Sequence, residues 1–185
     1  MSSKKISIKK IVYAAILIAI AEILMLFEFF ILPSYNFLKF DFSNVAVMVG
    51  GYILGPVYAI IILIGKCLLH IPLGKSGPIG ELADFITGLF FILPMCIIYL
   101  KKKTQLWTII GLAIGIVLLI PTALFANKFI LLPVYMPAMT EAAAFKAYAL
   151  GGLIPFNFLK GVIISVVYFS VIKIIKRVNI IKAIS

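Results

Sequence analysis

Residues 45–63 read VAVMVGGYILGPVYAIIIL, an apolar run interrupted only by the pair Gly55-Pro56. Proline lacks the amide donor and is disfavoured inside a helix. The pair therefore predicts either a tight turn between two helices or a kink in one long helix. Outward from this break, apolar segments separated by Pro, Gly and charge clusters fall at about 9–32, 42–54, 56–71, 79–100, 105–126 and 150–176. A turn at Gly55-Pro56 makes six spans, and a kink makes five.

Charge separates the two counts, because cytoplasmic loops of membrane proteins carry the Lys and Arg excess. Lys4, Lys5, Lys9 and Lys10 precede the first segment, Lys101, Lys102 and Lys103 lie between the fourth and fifth, and Lys173, Lys176, Arg177 and Lys182 close the chain. These blocks hold eleven of the 17 basic residues. Six spans put all three blocks on one side; five would set the first against the others. The expectation is an all-α membrane protein, a six-transmembrane-helix bundle with both termini cytoplasmic and residues 1–185 forming a single integral membrane domain.

Composition supports lipid as the main solvent. Hydrophobic residues make up 64% of the 185, and the mean hydropathy is +1.24. Six spans of roughly 20 residues use nearly the whole chain and leave no room for a nucleotide-binding domain. The formal charge of +11 sits in blocks that interrupt apolar runs, not along a soluble face, so no nucleic-acid partner is expected. Cys67 and Cys96 lie in or beside apolar segments without CxxC spacing, which favours neither a disulfide nor a zinc site. The basic N-terminus with Ala19 and Ala21 in an A-x-A arrangement is compatible with a cleaved signal. The apolar run continues past Glu22 to Leu32, however, longer than an ordinary signal core, and an uncleaved first helix is the preferred reading.

In this orientation the polar residues gather at the outer ends of the spans. Asp41, Ser43 and Asn44 open the second, His70 closes the third, Glu81 and Asp84 open the fourth, Asn127 and Lys128 close the fifth, and Asn157 and Lys160 lie near the start of the sixth. Glu81 with Asp84, and Asn157 with Lys160, are i,i+3 pairs that share a helix face. Ionisable groups at membrane depth are costly and normally face a bundle interior or a watery cavity. The pattern predicts an outward pocket with hydrogen-bonding walls whose charges roughly cancel, suited to a neutral polar ligand. Tyr35, Phe37, Phe40 and Phe42 before the second span, Phe129 and Tyr135 after the fifth, and Phe156 and Phe158 in the sixth offer faces on which a flat ring can stack. Tyr and Phe at a membrane boundary also form the ordinary interfacial belt.

Other chemistries are weaker. Gly74-Lys75-Ser76 has the end of a phosphate-binding loop, but position 69, where its first glycine belongs, is Leu69. His70 is the only histidine, so a boundary or loop role is expected rather than metal or triad chemistry. A membrane-embedded enzyme using Glu81, Asp84 and Lys160 as an acid/base set lacks any metal pattern or nucleophile beside a base. A structural membrane protein would need no pocket. Glu22 and Glu28 can line the cavity, contact a partner or meet a polar neighbour, and the sequence does not choose.

Four stretches together resemble one family: FLKFDFSNVAVMVGGYILGP (37–56), GPIGELADF (77–85), NKFILLPVY (127–135) and IPFNFLKG (154–161), with Lys66 in the third span. The chain is similar over nearly its whole length to the riboflavin-specific S components (RibU type) of energy-coupling-factor (ECF) transporters. That resemblance implies a six-helix S component that captures riboflavin from outside, with the flavin as transported ligand and no cofactor. It also implies docking, within a bacterial plasma membrane, on an EcfT-type coupling subunit served by two EcfA-type ATPases, which supply the ATP-driven step. It implies that Asn127 and Lys160 hydrogen-bond the flavin ring and that the loop carrying Phe40 and Asp41 acts as a lid. Glu81 and Asp84, with Asn157 beside them, would be partners of the ligand's polar groups. The first helix would dock through Ala15 and Ala19, a small-xxx-small pair that permits close helix approach. The chain departs from the family at Asp84, where Asn is expected, and at Cys67, where Asn commonly follows the lysine.

Overall fold

A computed structural model describes residues 7–35, 37–74 and 76–177. Six helices run through them: α1 (Ile8–Leu26), α2 (Ser43–Leu54), α3 (Pro56–His70), α4 (Gly77–Lys102), α5 (Gln105–Tyr135) and α6 (Ala142–Arg177). Helices α4, α5 and α6 are long and apolar enough to cross a membrane, whereas α2 and α3 are shorter apolar helices of 12 and 15 residues. Large apolar side chains project outward along the bundle, among them Ile11, Ile16, Ile23, Leu68, Val117 and Val166. An exposed apolar coat of this kind fits a lipid surround.

The break at Gly55-Pro56 is a turn. Gly55 adopts φ 103°, a conformation that costs glycine little, and Pro56 occupies the first position of α3, where its missing N–H is not needed. Helix α2 is thereby turned back into the bundle, and all its residues but Ile53 are buried. Gly111 and Gly115, one turn apart on α5, let that helix lie directly on α4. A Cβ on Gly111 would stand 2.6 Å from the Met95 Cα, and one on Gly115 would overlap the Phe91 carbonyl. The core between the layers holds Met48, Ile62, Phe91, Met95, Ile164 and Tyr168.

Three segment boundaries differ from expectation. The first apolar segment leaves the helix at Leu26, and Phe29–Phe30 pairs antiparallel with Lys39–Phe40, Phe29 opposite Phe40 and Phe30 opposite Lys39. Helix α5 does not end at residue 126 but continues through a π-turn at Asn127–Leu131, in which Leu132 N–H donates to the Asn127 carbonyl. Helix α6 begins at Ala142, ahead of residue 150, and has its own π-turn at Ala149–Leu153, where Ile154 N–H donates to the Ala149 carbonyl. Each π-turn is followed one residue later by a proline, Pro133 or Pro155. A proline ring needs room at the carbonyl four residues back, and the wider turn gives it.

Candidate ligand-binding site

One end of the bundle encloses a cavity of about 420 Å³, within the range of small-molecule sites. Its wall is assembled from the ends of α1, α4, α5 and α6 and from the loop before α2. Asp41, Glu81, Asp84, Asn127, Asn157 and Lys160 all line it, although they come from four separate stretches of chain. Apolar and aromatic surface fills the space between them, from Met25, Phe37, Leu131, Tyr135, Leu153 and Phe156. Phe40 is the exception among the expected site residues. It is fully buried in the strand pair, against Phe29 and Phe42 at ring-centroid distances of 4.9 and 5.0 Å, and does not line the cavity.

The charges are arranged in two tiers. In the inner tier Lys66, 0% exposed, places its Nζ 2.7 Å from Ser43 Oγ, 3.2 Å from Asn44 Oδ1 and 2.7 Å from Asp84 Oδ2. Three acceptors match the three ammonium N–H groups, which a buried lysine requires. In the outer tier Lys160 Nζ stands 3.7 Å from Asp41 Oδ2 and 3.9 Å from Asp84 Oδ1. Those separations are attractive but too long for hydrogen bonds, so the Lys160 donors remain directed into the cavity. Asp84 thus joins both lysines, one through each oxygen. Asp41 also accepts from the Ser43 N–H at 2.7 Å, which fixes the start of α2.

The two amides are oriented by the helices that carry them. Asn127 Nδ2 donates to the Ala123 carbonyl at 2.9 Å while its Oδ1 accepts from the Tyr148 hydroxyl at 2.8 Å. One Nδ2 hydrogen is left over on a side chain that lines the cavity. Asn157 Nδ2 donates to the Leu153 carbonyl at 2.8 Å, which leaves its oxygen as the free acceptor. Glu81 is 3% exposed, and its Oε2 has no hydrogen-bond partner among the described residues. A buried carboxylate oxygen in a cavity wall is an acceptor that a donor entering the cavity can satisfy.

Among the neighbours, Tyr148 carries no site signal in the sequence. Tyr148, which holds Asn127, is itself packed against Tyr35 and Phe37. His70 is the last residue of α3, at the expected boundary, and makes an interhelical contact there. It is buried in the last turn of α3, its Nδ1 2.8 Å from Glu22 Oε1, and ties α3 to α1. Glu28 lines the cavity and forms an ion pair with Lys39 of the strand segment. Cys67, Glu81 and Asp84 bring potential metal-ligand atoms within 4.8 Å of one another, but the Asp84 oxygen nearest Cys67 is already held by the Lys66 ammonium. The cationic position is filled by the chain itself. Ala15 and Ala19 lie away from the cavity, exposed on the outer face of α1.

Residues 9–172 match the family model described as ECF transporter, substrate-specific component. The chain belongs to that family. It is 34% identical over 165 residues to the riboflavin transporter RibU of Staphylococcus aureus (strain TCH60), covering 86% of both chains. To the riboflavin transporter FmnP of Bacillus subtilis (strain 168) it is 33% identical over 169 residues, covering 87% of this chain and 88% of that one. Among solved structures it resembles the S component of a bacterial ECF transporter, with a TM-score of 0.79 at 30% identity over 92% of this chain and 97% of the other. This S component is a transport protein and not an enzyme.

Proposed function

We propose that the chain captures riboflavin in this cavity, at the extracellular face of a bacterial plasma membrane, for ATP-driven uptake by partner subunits. The observation that carries the reading is the convergence of Asn127, Asn157, Lys160, Glu81 and Asp84 on one apolar-walled space. The pyrimidine edge of a flavin alternates donors and acceptors. The free Asn127 N–H, the free Asn157 oxygen and the Lys160 ammonium offer complementary groups. The ribityl hydroxyls are donors that the orphaned Glu81 oxygen and Asp84 can receive. Glu28, Asp41, Glu81 and Asp84 face Lys39, Lys66 and Lys160 around the site, so the wall is near neutrality and favours an uncharged ligand over a strong anion.

Six spans with both termini cytoplasmic fit this role, because the basic blocks then lie at the end opposite the cavity. The exposed Ala15 and Ala19 face of α1 is assigned to an EcfT-type coupling subunit, itself served by two EcfA-type ATPases. The flavin is cargo, not a cofactor. The deciding experiment is to purify the protein in detergent and titrate riboflavin, following flavin absorbance and quenching of flavin fluorescence. Saturable quenching at one equivalent is expected; absence of binding refutes the assignment.

A further inference from the structure

A second cavity, of about 400 Å³, opens at the opposite end of the bundle between the last turn of α2, the first turn of α5 and the final turns of α6. Tyr52, Tyr168 and Phe169 supply its aromatic walls, Gln105, Thr108 and Ser170 its neutral polar groups, and Lys173 and Lys176 its only charges among the described residues. Tyr52 is fixed by stacking on Tyr99 at 4.3 Å, with the Lys176 ammonium 5.6 Å from its ring centroid.

All six carboxylate side chains of the sequence lie elsewhere: Glu22, Glu28, Asp41, Glu81 and Asp84 in the other half of the bundle, and Glu141 at the start of α6. Among the described residues Lys173 and Lys176 have no anionic partner, and Lys101 and Lys102 at the end of α4 add to the same field. The depth is marked independently. Trp107 is partly exposed beside the Lys102 ammonium, 5.3 Å from its ring centroid, as expected of an aromatic residue at the headgroup level. Leu106 and Ile174 expose apolar side chains on the adjoining turns of the same two helices. The Thr108 and Ser170 hydroxyls donate to the Thr104 and Val166 carbonyls, so the site combines uncompensated cations with the Gln105 amide donor and an apolar rim.

We infer that this second cavity binds the phosphate of an anionic phospholipid, with Lys173 and Lys176 as its charge partners and the Gln105 amide as its neutral hydrogen-bond donor. The apolar rim selects a phosphate attached to acyl chains over free phosphate. Basic pockets between transmembrane helices bind anionic headgroups in this manner.

The test is native mass spectrometry of the detergent-solubilised full chain, incubated with phosphatidylglycerol, with phosphatidylcholine or with inorganic phosphate. Retained phosphatidylglycerol is expected, together with a roughly tenfold or larger fall in its retention in the Lys173→Gln/Lys176→Gln double variant. A Ser170→Phe variant, which keeps both charges and fills the space, should show a similar fall. Unaltered thermal unfolding of both variants in phosphatidylcholine establishes that they are folded. Equal retention in wild type and variants overturns the proposal. So does an equal loss in a Lys9→Gln/Lys10→Gln control, which would mean general attraction, and so does displacement by inorganic phosphate, which would mean a free-anion site.

Discussion

The Tyr148 hydroxyl donates to Asn127 Oδ1 across 2.8 Å and joins the two π-turns of the bundle, one beginning at Asn127 and the other immediately after Tyr148. The bond fixes which end of the Asn127 amide meets a ligand. With Oδ1 occupied by Tyr148, the side chain offers the cavity a donor.

Loss of that orientation should weaken riboflavin binding without unfolding the protein. Tyr148→Phe removes one hydrogen bond and is expected to raise Kd roughly fivefold, about 1 kcal/mol. Asn127→Ala removes the ligand contact as well and should cost about 1–3 kcal/mol. Fluorescence-quench titration measures both. A Tyr148→Phe variant weaker than Asn127→Ala would contradict this order.

Lys160→Ala should also weaken binding, because among the described residues the ammonium lies no closer than 3.7 Å to a carboxylate oxygen and its donors can turn to the ligand. Affinity unchanged in both Lys160→Ala and Asn127→Ala would refute the site.

Lys66 is expected to act on stability. Lys66→Met leaves the Asp84, Ser43 and Asn44 acceptors without their shared donor, and breaking a buried pair from one side costs about 3–5 kcal/mol. The loss should appear as a lower midpoint of thermal unfolding in detergent. Adding Asp84→Asn removes the stranded charge and should recover part of it; no recovery would argue against the ion pair as the cause.

Ala15→Leu and Ala19→Leu enlarge an exposed face of α1 far from the cavity. Uptake by cells should fall while riboflavin affinity of the isolated protein stays the same. Normal uptake in both variants would remove the docking assignment.

Orientation can be read chemically, since Cys67 and Cys96 are both buried free thiols and give little background. A Lys102→Cys variant should react with a membrane-impermeant maleimide only after cells are opened. Labelling of intact cells would invert the bundle and place the cavity on the wrong side.

Much of this arrangement was readable from spacing. Gly55-Pro56 separated α2 from α3, and the i,i+3 pairs brought Glu81, Asp84, Asn157 and Lys160 to one wall. What spacing could not supply were contacts between residues far apart in the chain. Lys66 meets partners 23, 22 and 18 residues away, and His70 meets Glu22 across 48. The segment after Leu26 differs from expectation because hydrophobicity alone does not distinguish a continuing helix from a short strand pair. The π-turns carried a weak signal in Pro133 and Pro155, but proline normally suggests a helix end, and residue 126 was read as one.

Helix α3 presents Val57, Ile61, Ile64 and Leu68 outward over 15 residues, a rise of about 22 Å against a hydrocarbon core of about 30 Å. On the proposed six-span reading, acyl chains along that flank must shorten or splay while those beside α4, α5 and α6 need not. A bilayer around such a bundle would be uneven in thickness, and the mismatch would trace to one glycine-proline bend.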